Sequence, residues 1–142
     1  MFYGEFEYKI DQKGRVPIPP RFRKELREGL VLTPGIERCI IVHPLSEWKK
    51  IAAELTNGLV ASSSKLRRLN RAIFATSFSA RIDGQGRIVL PMPLREHAEI
   101  MDEVIMSAAI PYLELWNKVH WESEKATSQE QVGQIIESLE KH

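Results

Sequence analysis

A ten-residue stretch occurs twice in this 142-residue chain, and it constrains the fold more than any other feature. The first copy spans residues 10–19 and the second spans residues 82–91, an offset of 72 residues. Both contain an Asp-x-x-Gly-Arg motif with a Pro four residues after the Arg. The same offset aligns Phe6 with Phe78. An internal repeat of this kind predicts two half-domains of similar design.

Each motif is typical of a tight turn between two strands. Asp at the first position and Gly at the fourth are the preferences of a type I turn. Gly14 and Gly86 supply the left-handed residue with which a hairpin closes over a bulge. Apolar residues alternate over residues 6–10, as in a half-buried strand. The sequence therefore predicts a hairpin tip at each motif.

The charged residues of the motif allow two interpretations. Asp11 and Arg15 flank the first turn, and Asp83 and Arg87 flank the second, so that each pair can face across its turn. Such a pair can simply close the turn, although an exposed ion pair contributes only about 0–1 kcal/mol. The same charges built twice also indicate a functional surface. Both interpretations stay open at this point.

The rest of the chain alternates between apolar strand patterns and helical patterns in both halves, which predicts a mixed α+β fold. Capping residues, breakers and spacing place the elements as follows. The first half has a short helix over 19–27, a hairpin from 30–32 and 39–42, and a helix capped by Ser46 that continues to about Leu55. A basic helix from Ser64 to about Ala75 joins the halves. The second half has a strand over 75–82, a short helix over 93–100, a hairpin from 104–106 and 112–116, and a helix from Lys118, with an amphipathic pattern that continues after Thr127.

These elements divide the chain into four expected units. Residues 1–57 form the first half, 58–74 the linking helix, 75–127 the second half and 128–142 a C-terminal helix. Val132, Ile135, Ile136 and Leu139 recur at helical spacing in the last unit. Their apolar face needs a partner, either within the chain or on a neighbour.

Charge and composition indicate which surface of the chain is basic and which cellular compartment the chain fits. The net charge is only +1, but residues 1–27 carry seven Lys and Arg against four Asp and Glu, and residues 65–87 carry six against one. The positive charge therefore gathers around the two motifs. The chain has no membrane-length apolar run and no secretory signal pattern, and its single cysteine, Cys39, fits a reducing cytoplasm.

The residues suggest no catalytic centre, no cofactor and no metal site. The sequence has no phosphate-binding Gly-Lys-Ser/Thr loop and no nucleophile elbow. His43, His97, His120 and His142 are scattered without the spacing of metal ligands, and Cys39 lies beside an apolar run typical of a core thiol. A binding protein is therefore expected rather than an enzyme.

Two Asp-x-x-Gly-Arg motifs at this spacing, each followed by Pro, resemble the MraZ family. Further similarities are the Met1-Phe2-x-Gly4 start, the Pro44-Leu45-x-Glu47-Trp48 stretch and the Leu113–Trp116 segment, so that the resemblance covers about residues 1–127. It implies two AbrB/SpoVT/MazE-type modules. The expected architecture is two tandem, pseudo-symmetric β-hairpin/helix halves that form a swapped-hairpin AbrB-like barrel with flanking helices.

The resemblance also implies a function. The family consists of transcriptional regulators of the bacterial cell-division and cell-wall gene cluster, which bind promoter repeats as rings. It further implies that Asp11, Arg15, Asp83 and Arg87 contact double-stranded DNA. The second motif has Gly84-Gln85 where the first has Gln12-Lys13, so the second turn has one cation fewer.

General physical arguments agree with a DNA-binding surface. A two-stranded ribbon fits the major groove, where Arg reads guanine through two hydrogen bonds. Lys9, Lys13 and Arg81, with Arg21 and Arg23, are candidates for phosphate contacts. The complete predicted DNA-binding set is Lys9, Asp11, Lys13, Gly14, Arg15, Arg81, Asp83, Gly86 and Arg87.

Three functions remain in competition at this stage. The first is a sequence-specific DNA-binding regulator, acting in the cytoplasm at the nucleoid and assembled as a closed homo-oligomeric ring that suits direct repeats. The second is an antitoxin-like module of the AbrB/MazE fold that binds a protein through its C-terminal extension. The third is an enzyme on a related small barrel. Salt-sensitive, sequence-specific DNA binding supports only the first.

Overall fold

The structure is a computed structural model that describes residues 1–58 and 63–141. The described part contains eight strands, four α-helices, one 3-10 turn and one π-helical turn. The strands are β1 (Glu5–Lys9), β2 (Arg15–Pro17), β3 (Leu30–Pro34), β4 (Cys39–Pro44), β5 (Phe78–Ala80), β6 (Arg87–Val89), β7 (Glu103–Ala108) and β8 (Leu113–Trp116). The helices are α1 (Leu45–Thr56), α2 (Ser64–Leu69), α3 (Met92–Ala98) and α4 (Lys118–Glu140), with the 3-10 turn at Pro20–Phe22 and the π-helical turn at Asn70–Phe74.

The strands form two sheets, and an internal pseudo-two-fold axis relates the two halves of each sheet. The larger sheet has the order β1-β7-β8-β4-β3-β5, and the smaller is a ribbon of β2 and β6. All described pairings are antiparallel. Exchanging the halves turns β1 into β5, β2 into β6, β3 into β7 and β4 into β8, which reverses the order of the large sheet and leaves it unchanged. The fold therefore confirms two tandem pseudo-symmetric halves.

The strands that flank each motif pair with strands of the other half. β1 pairs with β7, and β2 pairs with β6 rather than with β1. Only the turn itself keeps the local hairpin bonds, with Asp11 N donating to Arg15 O at 3.1 Å and Gly14 N donating to Asp11 O at 3.0 Å. The expected hairpin tips are thus present, and their strands are exchanged between the halves as in the expected swapped-hairpin barrel.

A single main core lies between the ribbon and the large sheet. Val16 and Ile88 are opposite one another in the ribbon and are buried beneath it. They meet Leu32, Ile40 and other apolar residues of the large sheet in one cluster. Because alternate residues of a strand point to opposite faces, burial of Val16 and Ile88 directs Arg15 and Arg87 outward.

Helix positions differ from the sequence-based prediction in two places. Residues 19–27 do not form a regular helix, because only Pro20–Phe22 takes a 3-10 turn, followed by further turns. Ser46 does not cap α1, which begins at Leu45 directly after Pro44. The serine cap of α2 is Ser63, whose side chain accepts a hydrogen bond from Leu66 N at 3.1 Å.

The boundaries of the four predicted units stay a prediction. The linking unit, residues 58–74, contains α2 and the π-helical turn, and residues 59–62 within it lie outside the described part. α4 runs without a break from Lys118 to Glu140, across the boundary expected at residue 127. Among the described residues, no helix is both long enough and apolar enough to cross a membrane.

Candidate nucleic-acid interface

The first turn is held together by the carboxylate of Asp11. Its Oδ1 accepts hydrogen bonds from the backbone N of Lys13 and of Arg15, each at 2.9 Å. Its Oδ2 accepts from Arg15 Nε at 2.6 Å. Gly14 has φ +74°, the left-handed conformation that the motif predicts. The backbone bond from Arg15, with further bonds to the same group, holds the pKa of the Asp11 carboxyl below its ordinary value.

The second turn repeats this geometry. Asp83 accepts from the backbone N of Gln85 at 2.8 Å, from the backbone N of Arg87 at 2.9 Å and from Arg87 Nε at 3.0 Å. Gly86 has φ +79°. The backbone bond from Arg87 is the first cause that holds the pKa of Asp83 below its ordinary value. Each Asp–Arg pair therefore closes its turn and also fixes the direction of the guanidinium.

Both arginines lie on the outer face of one ribbon. In the β2–β6 ladder Arg15 is opposite Val89, and Pro17 is opposite Arg87. The two arginines are therefore diagonal neighbours across the pseudo-two-fold axis, with Cα atoms about 8 Å apart from the strand rise and strand spacing. Val89 beside them is 52% exposed. The result is an outer face with two oriented guanidinium groups, on side chains that are 27% exposed at Arg15 and 26% exposed at Arg87.

Each turn is also covered by an arginine from the other half. The guanidinium of Arg95, on α3, lies against Gly14, where an added Cβ would be 3.0 Å from its terminal amino group. The guanidinium of Arg23 lies against Gly86, where an added Cβ would be 2.2 Å from Arg23 Cζ. Arg23 Nε donates to Ile18 O at 2.9 Å, whereas Arg95 Nε is buried without an acceptor among the described residues.

Arg95 is the site residue that sequence reasoning missed. Its alignment with Arg23 at the 72-residue offset is the signal that was available. That alignment shows which residues are equivalent, but it does not show that each arginine reaches the opposite half. Only the exchange of strands between β2 and β6 brings Arg95 to Gly14 and Arg23 to Gly86.

The other predicted cations have different positions. Lys9 and Arg81 are exposed two residues before their turns, and Lys13 is exposed within the first turn. Arg21 is engaged elsewhere: its guanidinium carbon lies 4.6 Å from the centre of the Tyr3 ring, and its amino group donates to Tyr3 O at 2.7 Å. Arg21 therefore helps to fix the N-terminal segment, and its phosphate contact stays a prediction.

The remaining reactive residue types are buried or dispersed. Burial raises the pKa of Cys39 to about 12, and the nearby Glu114 charge acts in the same direction. Burial lowers the pKa of His43 to about 4, and its Nε2 lies 3.1 Å from Thr33 Oγ1. No cluster of metal-ligating side chains occurs among the described residues.

Comparison with known proteins gives matches over nearly the whole chain. A family model described as an antitoxin-like MraZ protein matches residues 1–69 and 73–137. The chain is similar to proteins named transcriptional regulator MraZ: one from Dehalococcoides mccartyi is 55% identical over 100% of both chains. One from Thermoanaerobacter is 40% identical, and the match covers 99% of this chain and 97% of the relative. One from Pediococcus pentosaceus is 38% identical, and the match covers 98% of this chain and 96% of the relative.

Proposed function

We propose, from the premise that this chain belongs to the MraZ family, that it is a transcriptional regulator that binds double-stranded DNA through the outer face of the β2–β6 ribbon. The observation that carries the proposal is the pair of arginines that two aspartates hold in the same orientation on one exposed face. An ion pair that only closed a turn would not need this repeated placement on the open side of the ribbon.

The terminal amino groups of the two arginines, which the aspartates do not bind, are proposed to contact the DNA bases. Asp11 and Asp83 bind Nε of their arginines. The terminal amino groups of Arg15 and Arg87 are then directed outward, where they can donate to O6 and N7 of guanine in the major groove. The aspartates reduce the rotational freedom of the arginines before DNA arrives, which lowers the entropic cost of ordering them on binding.

The surrounding cations are proposed to hold phosphates. Lys9, Lys13 and Arg81 are exposed beside the turns, and the covering residues Arg23 and Arg95 add positive charge at each glycine. Contacts to phosphate fix register and orientation without reading sequence. Each lost phosphate contact should reduce the slope of log K against log salt by about 0.9.

The wider biological setting is part of the same proposal. The regulated promoters are those of the bacterial division and cell-wall gene cluster, and their repeats run in one direction. The protein acts in the cytoplasm at the nucleoid, as a closed homo-oligomeric ring. Unequal halves offer two different surfaces for head-to-tail contact, and heterologous contacts of this kind close into rings when the rotation permits.

The test is a salt-titrated DNA-binding measurement on Arg15→Ala, Arg87→Ala and the double variant, with cluster promoter DNA and with unrelated DNA. Loss of a base-reading arginine should cost about 1–3 kcal/mol on promoter DNA and relax preference at one base position. We expect Arg15→Ala to weaken binding more than Arg87→Ala, because the first turn also contains Lys13.

The matched control is Lys49→Ala, which removes an exposed charge from α1, away from the ribbon. We expect this control to bind promoter DNA like the parent protein. Melting curves on all variants separate loss of folding from loss of binding. If the folded Arg15→Ala/Arg87→Ala variant binds promoter DNA normally, the ribbon is not the reading surface.

An antitoxin-like role is the second candidate. The description of the family model and the exposed apolar stripe at the end of α4 favour it. It predicts a stable complex with a second protein through the C-terminal helix, and no salt-sensitive preference for promoter DNA. The same titration therefore separates the two functions.

A further inference from the structure

The N-terminal segment fills a space in the first half that has an equivalent in the second. Phe2 is completely buried, its ring centre lies 5.0 Å from that of Phe22, and its backbone N donates to Ile110 O at 3.0 Å. It thus lies between the β7–β8 connection and the 3-10 turn. The repeat offset of 72 residues aligns Phe2 with Phe74.

The equivalent space in the second half is an open apolar groove. Phe74 does not enter it, because its ring packs on Trp48 with centres 5.6 Å apart. The groove has a volume of about 660 Å³, and its lining includes Ile36, Phe78 and Leu94. Ile36 is 98% exposed. Phe78 and Leu94 are the counterparts of Phe6 and Phe22; in the first half the Phe22 ring packs against both Phe2 and Phe6. The fold itself therefore shows that an apolar side chain suits this space.

The end of α4 has an apolar surface without a partner among the described residues. The start of the helix is anchored to β1, through Lys118 to Glu7 at 2.8 Å and Lys125 to Glu5 at 3.0 Å. From residue 126 to residue 141 every described side chain is exposed. These residues extend the helix by about 22 Å. The tail stripe, as we name it, consists of Val132, Ile135, Ile136 and Leu139, which are 50–69% exposed.

The tail and the groove belong to opposite sides of the same chain. The start of α4 packs over β7 and β8, where Trp121 contacts Ile105 and Trp116, and the groove adjoins Phe78 of β5, at the far edge of the large sheet. Four strand spacings separate β7 from β5, about 19 Å. Every described residue of the tail is exposed, so the tail does not lie in the groove of its own chain. A second copy of the chain can supply the tail.

The charges of the two surfaces are opposite. Residues 126–141 contain three Glu and one Lys. The helix that leads into the groove is basic, with Lys65, Arg68 and Arg71 exposed, and Arg71 directly precedes groove residue Ala72. At moderate salt, opposite charges attract one another over a Debye length of about 8–10 Å. A tail laid in the groove would place the acidic segment beside the basic helix.

We propose that the tail stripe of one chain docks in the apolar groove of the next chain, head to tail. The apolar side chains of the stripe take the place that Phe2 occupies in the first half. Each chain then donates one tail and accepts one, as a ring requires. This inference rests on the proposed self-assembly, and it assigns the contact that performs it.

The test uses two interface variants and one control. The tail variant is Ile135→Glu/Ile136→Glu, and the groove variant is Ile36→Glu/Ala72→Glu. All four of these residues are exposed, and none belongs to the core. The control is Thr127→Glu/Gln134→Glu, which adds the same charge to the opposite face of the tail. Molar mass is measured by light scattering at fixed protein concentration, without DNA.

We expect the parent and the control to be multimers, and each interface variant to be a monomer. An equimolar mixture of the two variants should give a species of twice the monomer mass, because it restores one intact tail and one intact groove. Normal assembly by either variant, or failure of the mixture to pair, overturns the proposal. A monomeric tail variant beside a multimeric groove variant would identify tail-to-tail contact and also overturn it.

A DNA measurement separates this inference from the proposed function. The tail variant keeps Arg15 and Arg87, so it should still bind a duplex that contains one promoter repeat, whereas the Arg15→Ala/Arg87→Ala variant should assemble normally and fail to bind. If Arg71→Glu weakens DNA binding and leaves the mass unchanged, the basic helix serves DNA, and the charge argument for docking is wrong.

Discussion

Substitution of Gly86 by Ala should destabilise the fold far more than the same change at the equivalent Gly14. Gly86 has φ +79°, and a Cβ there would lie 2.2 Å from Arg23 Cζ and 2.4 Å from Arg23 Nε. Arg23 cannot retreat easily, because its Nε donates to Ile18 O at 2.9 Å. At Gly14 the nearest atom is the terminal amino group of Arg95 at 3.0 Å. That group lies at the far end of a flexible side chain and can shift by a few tenths of an ångström.

The magnitudes follow from these contacts. A left-handed conformation costs an L-residue about 1–2 kcal/mol, which applies to both glycines. Displacing Arg23 from Ile18 O adds the loss of a charge-assisted hydrogen bond, about 1.5–3 kcal/mol. We therefore expect a loss of about 3–5 kcal/mol for Gly86→Ala and about 1–2 kcal/mol for Gly14→Ala. Gly84→Ala is the control, since nothing lies within 4 Å of its added Cβ, and it should be neutral to slightly stabilising.

Urea unfolding measures these differences, and all variants are compared at one protein concentration so that any self-assembly affects them equally. The decisive comparison is the double variant Arg23→Ala/Gly86→Ala. Removing the guanidinium removes the clash, so the two single losses should sum to more than the double loss by about 1.5–3 kcal/mol. Additive losses, or equal losses for Gly86→Ala and Gly14→Ala, would refute the proposed contact of Arg23 with Gly86.

Three further predictions concern ionisable groups. Burial lowers the pKa of His43 from 6.5 to about 4, so as pH falls the unfolded chain binds a proton before the folded chain does. The free energy of unfolding should therefore fall by about 3 kcal/mol between pH 6.5 and pH 4. A His43→Gln variant should lose this slope in melting temperature against pH. The carboxyls of Asp11 and Asp83 have depressed pKa values, so their contribution is present above the ordinary value of 3.8 and is lost as pH falls through the lower folded values. NMR titration midpoints at or above 3.8 would contradict this. The Cys39 thiol, with a pKa of about 12, should react with a disulfide reagent only after denaturant is added; prompt labelling of folded protein would count against its burial.

The repeat predicts the symmetry of the fold but not the pairing of its strands. Alternating apolar residues establish which face of β1 is buried, and they do so equally well for any partner strand. Joining β1 to β2 in a hairpin and joining β1 to β7 satisfy the same pattern. The resemblance to swapped-hairpin modules, rather than periodicity, led to the correct architecture.

The predicted helix over residues 19–27 shows the limit of local patterns. Phe22 and Leu26 have helical spacing, and both are buried. A 3-10 turn followed by other turns buries them equally well. Spacing therefore identified the buried side chains correctly and the backbone conformation incorrectly.

In the candidate site, local contacts could be predicted from the sequence and long-range contacts could not. The bonds from Asp11 to Arg15 and from Asp83 to Arg87 are local, so the motif alone predicts them. The contact of Arg95 with Gly14 joins residues about 80 positions apart and depends on the exchange of strands. Long-range contacts of this kind require the topology, which a single sequence does not specify.

The departure from symmetry at the two turns bears on how the ribbon would lie on DNA. An ideal two-fold ribbon would bind a site equally well in either direction. Lys13 in the first turn corresponds to Gln85 in the second, so reversing the chain would move one cation from one end of its site to the other. Since cations near phosphates contribute directly to affinity, one direction is favoured at an asymmetric site. Chains joined head to tail would share that direction, and successive sites would then be direct repeats rather than inverted ones.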